Sequence, residues 1–176
     1  MTTLSEDQAS PTTLRKVISA AAIGNFVEWF DFAVYGFLAT VIASQFFPSE
    51  SVSLGLLKTF GVFAVAFAMR PLGGIFFGVL GDRLGRKGIL SLTILLMACA
   101  TTLIGLLPTH ASIGIAAPIL LTLLRCLQGF SAGGEYAGSI AYVMEHSPRD
   151  KRGWYGSFIP VSTFTAFASA AALVFV

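Results

Sequence analysis

Four polar residues lie at helical spacing in the first long apolar stretch of the sequence: Asn25, Glu28, Asp31 and Tyr35. At 100° per residue, their intervals of three, three and four residues confine them to an arc of about 120° on a helix. An acid near the middle of a bilayer costs at least ~2.5 kcal/mol, so this first polar face is predicted to point to a protein interior or an aqueous cavity. The alternative is that both acids only pair with structural cations.

A second polar face lies on a later apolar stretch and contains a permanent positive charge. Its members again fall within about 120° of helical arc. They are Arg125, Gln128, Ser131, Glu135, Ser139 and Tyr142. An arginine keeps its proton, whereas a carboxylate can gain one. Together the two faces offer a proton acceptor and a fixed cation, which is the chemistry needed to bind a proton and a carboxylate.

Each polar face requires a helix that can carry it through an apolar environment. Hydrophobic residues make up 55% of the 176 residues and charged residues only 11%, which is outside the range of soluble globular domains. A helix crosses the hydrocarbon layer in about 20 residues. The sequence therefore predicts an all-α polytopic membrane protein with an amino-terminal tail at 1–16 and five spans at about 17–47, 56–80, 88–107, 116–143 and 154–176. Because the last apolar run reaches Val176 without a polar flank, we expect the chain to be incomplete.

The loop cations predict the orientation of the spans. Eight cations fall on the side of the amino terminus, against Lys58 alone on the other side. The eight are Arg15, Lys16, Arg83, Arg86, Lys87, Arg149, Lys151 and Arg152. Cytoplasmic loops carry the excess of Lys and Arg, so the amino terminus is predicted to be cytoplasmic. A net charge of +2, divided among small clusters between apolar runs, argues against a nucleic-acid partner.

The connection between the second and third spans has the sequence G-V-L-G-D-R-L-G-R-K at residues 78–87. Its three glycines would permit a sharp turn and the close approach of a neighbouring helix. An ordinary basic turn is the alternative.

Within the second span, Arg70 lies deep in the apolar run, where it either needs a partner or extends its charged end toward the interface. Pro71 beside it is able to kink the helix.

The motif at 78–87 matches the pattern G-x-L-x-D-R-x-G-R-K and resembles the loop between the second and third helices of the major facilitator superfamily. The pattern L-x-x-x-R-x-x-Q-G at 121–129 is similar to the fourth-helix motif of that superfamily. The stretches 24–32, 70–74 and 128–136 resemble the metabolite:proton symporter family within it. The resemblance covers nearly all of the chain after Pro11.

This resemblance implies twelve helices in two six-helix halves, so that the chain would lack its sixth span and its carboxy-terminal half. It implies a proton-coupled symporter in the cytoplasmic membrane, without a cofactor, metal or catalytic residue. We expect the loop motif to hold an inner gate without touching substrate. Its residues are Gly78, Asp82, Arg83, Gly85, Arg86 and Lys87. An enzyme is not expected, because the sequence shows no serine–histidine pairing, metal-ligand spacing or phosphate-binding loop.

The first and fourth helices line the central cavity in the superfamily, so the two polar faces are expected to meet. The predicted coupling site comprises Asn25, Glu28, Asp31, Tyr35, Arg125, Gln128 and Glu135. We predict that Arg125 pairs with Glu28 or Asp31, and that a proton on this carboxylate releases Arg125 to bind a substrate carboxylate. Glu135 is the competing partner, but ten residues along one helix is about 15 Å, too far for a direct bond.

The resemblance implies a small zwitterionic or carboxylate substrate, such as proline or glycine betaine. Phe32 and Tyr35 lie beside the two acids of the first face, and aromatic faces near a carboxylate suit a quaternary ammonium group. The same rings could simply pack. The alternatives are a symporter for 2-oxoglutarate, citrate or shikimate, or a truncated membrane fragment that does not transport.

Overall fold

The computed structural model describes residues 11–49 and 51–176, apart from some side chains within these ranges. All regular structure in this part of the chain is helical, which confirms the predicted all-α class. The helices are α1 (Pro11–Phe37), α2 (Ala39–Phe46), α3 (Val52–Leu84), α4 (Arg86–Gly105), α5 (His110–Ile113), α6 (Ala116–His146), α7 (Arg152–Gly156) and α8 (Phe158–Phe175), with a 3-10 turn at Arg149–Lys151 before α7.

Five segments of this fold are long and apolar enough to cross a membrane. They are Leu14–Phe37, Val52–Leu84, Gly88–Gly105, Ala116–Gly134 and Arg149–Phe175. Each contains an apolar window of eighteen residues or more, close to the length that the hydrocarbon layer requires. The number of spans agrees with the sequence prediction.

The first two spans differ in length from the predicted boundaries. The run at 17–47 is divided at Leu38 into α1 and α2, although the helical hydrogen bonds from Leu38 to Val34 and from Ile42 to Leu38 persist across the break. Helix α3 begins before the predicted residue 56 and ends after residue 80. It continues through Pro71, since the loss of one backbone donor does not end a helix that is packed along its length.

The turn between α3 and α4 needs only one of the three glycines that suggested it. Gly85 has φ 97°, a left-handed conformation that favours glycine, and its N–H donates to the carbonyl of Gly81 at 2.9 Å. Gly78 and Gly81 are helical residues of α3. The loop is shorter than the sequence predicted, because the polar residues Asp82 and Arg83 are exposed residues in the last turn of α3.

The contact between α3 and α6 is the most extensive in the described fold, and glycines bring the two backbones together. A Cβ added at Gly73 would collide with the carbonyl of Phe130, and one at Gly129 with the carbonyl of Ala66. One added at Gly133 would collide with the carbonyl of Arg70. The small residues of α6 therefore serve close helix packing. For Gly78, expected to serve it on α3, no atom of the described residues lies within 4 Å of an added Cβ.

The direction of the spans follows from the contacts at their ends. Leu14 and Ile18 near the start of α1 pack with Val143 near the end of α6 and Ile159 at the start of α8. The other ends of α1 and α8 also meet, because the rings of Phe37 and Phe175 lie 5.5 Å apart. Helices α1 and α8 are therefore parallel to each other and antiparallel to α6, which also packs against α3 and α4.

Candidate functional site

The first polar face of α1 contacts three different helices. Asn25 lies at the contact with α8, where its amide nitrogen is within hydrogen-bonding distance of the Ile159 carbonyl (3.0 Å), the Ser162 hydroxyl (2.8 Å) and the Thr163 hydroxyl (2.7 Å). These hydrogen bonds join α1 to α8. The described contacts of Asn25 do not include the other predicted site residues.

Asp31 and Arg125 form an ion pair between α1 and α6. Nη1 of Arg125 donates to Oδ2 of Asp31 at 2.7 Å. Gln128, one turn further along α6, donates to the same carboxylate oxygen at 3.1 Å, and its Nε2 is also 2.7 Å from the hydroxyl of Thr101 on α4. The predicted pairing of Arg125 with an acid of α1 is thus present, with Asp31 as the partner. Hydrogen bonds to an ionised group are short and roughly twice as strong as neutral ones.

Tyr35 supports this ion pair from one side. The guanidinium carbon of Arg125 lies 4.0 Å from the centre of the Tyr35 ring, within the range of a cation–π contact. The hydroxyl of Tyr35 donates to the carbonyl of Thr59 on α3 at 3.1 Å, and its ring stacks on Phe63 at 5.6 Å. The ring position is therefore set by α3, while the charge that it contacts belongs to α6.

Glu28 pairs with a different arginine, Arg70 of α3. Nη2 of Arg70 lies 2.8 Å from Oε1 of Glu28, and the side chain of Glu28 is fully buried. The guanidinium carbon of Arg70 lies 4.9 Å from the Trp29 ring, 4.3 Å from Phe32 and 4.6 Å from Phe67. The sequence left two alternatives for Arg70, a paired side chain or one that extends to the interface, and the structure shows the paired one. Arg70 lies fourteen residues, or about 21 Å, from the end of α3 at Leu84.

Sequence reasoning missed most of the surroundings of Arg70. It considered Phe32 as a ring beside the acids, but not Trp29 or Phe67. A signal was present for Phe67, since residues three apart on a helix are neighbours and Phe67 precedes Arg70 by three. The pairing with Glu28 had no such signal, because it joins residues 42 positions apart on two helices whose relative rotation the sequence does not show.

The remaining predicted residues are only partly described. Ser131 of the second polar face is buried and donates to the carbonyl of Thr93 on α4. Some residues of this face therefore contact α1 and others contact α4. The side chains of Glu135 and Tyr142, and those of Arg86 and Lys87 in the loop motif, lie outside the described part of the structure. Asp82 and Arg83 are exposed at the end of α3. The predicted roles of these residues stay predictions.

The profile of the sugar (and other) transporter family matches residues 17–175. The chain therefore belongs to this family of transporters in the major facilitator superfamily, and it is a multi-pass membrane protein. It is 49% identical over 161 residues to the proline/betaine transporter of Salmonella typhimurium. The aligned residues make up 92% of this chain and 32% of that protein.

Two further relatives share these proportions of coverage. The chain is 48% identical to the glycine betaine/proline/ectoine/pipecolic acid transporter of Dickeya dadantii, over 92% of the chain and 32% of the relative. It is 48% identical to the proline/betaine transporter of Escherichia coli, with the same coverage. The chain thus spans about a third of the length of the curated relatives it matches. No solved structure matches it.

Proposed function

We propose that this chain forms the first five spans of a proton-coupled symporter that imports proline or glycine betaine across the cytoplasmic membrane. The names of the relatives support the substrate class, and their greater length supports a further part of the protein that completes the substrate path. The excess of loop cations on one side supports a cytoplasmic amino terminus. The same side would hold the gate formed by residues 78–87.

The observation that carries the proposal is the ion pair between Asp31 and Arg125. Both groups lie between helices, and the Asp31 side chain, at 16% exposure, is more accessible than that of Arg125, at 4%. We infer that Asp31 is the proton-accepting member of the pair, because its side chain is the less enclosed of the two and an arginine keeps its charge. Protonation of Asp31 removes the charge that holds the guanidinium. Arg125 is then available for the carboxylate of the substrate, near the midplane where such carriers bind their ligands.

The neighbouring residues have supporting roles in this mechanism. Gln128 holds the Asp31 carboxylate in position and links it to α4 through Thr101. The ring of Tyr35 lies 4.0 Å from the guanidinium carbon of Arg125, and this cation–π contact would keep the cation in the site after Asp31 is protonated. Asn25 fixes α1 against α8, and its predicted part in coupling stays a prediction.

Uptake measurements on the complete transporter test this proposal. Arg125→Gln should abolish accumulation of labelled proline and glycine betaine driven by an imposed pH gradient. Arg125→Gln combined with Asp31→Asn should restore thermal stability, because neither charge is then left alone, but it should not restore accumulation. Lys58→Gln, which removes an exposed cation of α3, is the matched control and should accumulate substrate normally.

Two results would contradict the proposal. Equal accumulation by Arg125→Gln and the unmodified protein, over a range of pH gradients, would remove Arg125 from the coupling mechanism. Strong inhibition of uptake by citrate or 2-oxoglutarate, with none by glycine betaine, would replace the zwitterionic substrate with a di- or tricarboxylate.

A further inference from the structure

Three aromatic rings from two helices surround one cation in the interior of the described fold. Trp29 and Phe32 of α1 and Phe67 of α3 each present their ring to the guanidinium of Arg70, at 4.3–4.9 Å from its carbon. All three distances are within the ~6 Å at which a ring face attracts a cation. We call these three rings the aromatic box. The ring of Phe32 also meets that of Phe67 edge-on at 5.2 Å, so the box is continuous.

Two nitrogen atoms of the Arg70 guanidinium lack a well-directed hydrogen bond to the described residues in this position. A guanidinium offers five N–H donors in a plane. Within the described part of the chain, the buried Nε and Nη2 atoms have no hydrogen-bond partner, although Nη2 lies 2.8 Å from Oε1 of Glu28. The contacts described for this cation are the ring faces and the charge of Glu28. Such contacts recognise a positive charge and its size, and they do not require a hydrogen-bond donor.

A quaternary ammonium group satisfies these conditions better than a guanidinium does. It has a positive charge and no N–H, so it leaves no donor without an acceptor when it is enclosed by rings. Recognition of quaternary ammonium ligands by aromatic cages is the best-known use of cation–π contacts in binding. The guanidinium is itself more weakly hydrated than a primary ammonium, which makes it the side-chain cation most similar to such a ligand.

We propose that the aromatic box binds the quaternary ammonium head group of a zwitterionic substrate, and that Arg70 occupies the box until the head group displaces it. This inference rests on the proposed function for the identity of the substrate. The two cations cannot share the box, because like charges at such a distance repel each other strongly away from water. Glu28 remains in place and neutralises the head group that replaces Arg70.

The spacing of the two acids on α1 suits a ligand with two opposite charges. Glu28 and Asp31 are three residues apart on α1, about 4.5 Å along the helix axis, which is comparable to the length of a small zwitterion. A head group beside Glu28 takes the place of Arg70, and a carboxylate beside Arg125 takes the place of Asp31. The substrate would thus replace one charge of each ion pair.

Equilibrium binding to the purified complete transporter tests this inference. The two ligands are glycine betaine and tert-butylacetate, which has the same shape and carboxylate but carbon in place of the charged nitrogen. Phe67→Leu removes one ring of the box and should weaken glycine betaine binding about 2- to 30-fold, while tert-butylacetate binding is unchanged. Phe60→Leu is the matched control, since Phe60 is an exposed residue of the same helix, and it should change neither affinity.

A second variant allows the inference to be tested even if Phe67→Leu does not fold. Trp29→Leu removes a ring from α1 instead of α3, and it should show the same selective loss of glycine betaine. Equal losses for both ligands in both variants would overturn the inference, because the rings would then contribute packing and not recognition of charge. An unchanged affinity for glycine betaine in both variants would overturn it as well.

Failure of the proposed function is recognised separately. If the unmodified protein takes up neither proline nor glycine betaine, the proposed substrate is wrong, and binding of tetramethylammonium to the purified protein then tests the aromatic box alone. Binding that is weakened by Phe67→Leu but not by Phe60→Leu supports the box. Absence of tetramethylammonium binding to the unmodified protein overturns it.

Discussion

Helix α1 carries two carboxylates less than one turn apart, and each pairs with an arginine of a different helix. Glu28 and Arg70 lie against aromatic rings, and the acid is fully buried. Asp31 and Arg125 lie in a hydrogen-bonded group with Gln128, and the acid is partly exposed. The two ion pairs therefore have the same charges but opposite surroundings, apolar for the first and polar for the second.

This difference indicates which member of each pair is exchangeable. In the polar pair the more accessible group is the acid, which is the group that the proposed mechanism protonates. In the apolar pair the acid is sealed, and the side chain of Arg70 at 15% exposure is the accessible member. The cation is therefore the group that we propose another ligand replaces. Two pairs on one helix could in this way respond to two different ligands.

Breaking the apolar pair should have the largest effect on stability. Arg70→Met in the complete transporter removes the cation beside the buried carboxylate of Glu28, and we expect a loss of about 3–5 kcal/mol in the free energy of unfolding. Arg70→Met with Glu28→Gln should recover most of it. Denaturation of the purified protein measures both, with Lys58→Met as the control on the same helix. A smaller loss in the free energy of unfolding for Arg70→Met than for Arg125→Gln would show that the polar pair contributes more to stability than the apolar pair.

A change in the distance between α3 and α6 should affect both pairs together. Gly133→Ala places a Cβ against the carbonyl of Arg70 and 2.8 Å from the backbone nitrogen of Gly74, so the helices must separate. We expect a destabilisation of about 1–3 kcal/mol, typical of overpacking. Gly78→Ala, which faces open space on α3, should instead be neutral or stabilising by up to about 1 kcal/mol. Equal thermal shifts for the two variants would contradict the close contact.

The smallest effect is expected from a variant that affects the polar pair alone. Gln128→Leu removes the hydrogen bonds to Asp31 and Thr101 but leaves the ion pair with Arg125 in place. We expect a loss of about 1 kcal/mol in stability and a lower transport rate, because the carboxylate is held less firmly. Thr101→Val keeps the contact of Gln128 with Asp31 and serves as the control. If both variants transport at the same reduced rate, Thr101 and not Asp31 is the important partner of Gln128.

The sequence by itself determined the class of the protein, the number of its spans and the two polar faces. These features depend on the chemistry of single residues and on the helical period, both of which can be read along one chain. The partner of Arg125 was narrowed to two acids of α1 by these two faces together with the resemblance to the superfamily, which implies that the first and fourth helices line one cavity. The position of Gly85 as the turn was contained in the motif, but the motif did not distinguish it from Gly78 and Gly81.

Only the tertiary structure decided how the polar groups are paired. Helical periodicity shows which residues share a face, but it does not show how neighbouring helices are rotated and displaced relative to that face. Asn25 therefore turned out to contact α8, while Glu28 and Asp31 separated between Arg70 and Arg125. The aromatic box likewise combines residues of α1 and α3 whose meeting depends on the packing of both helices.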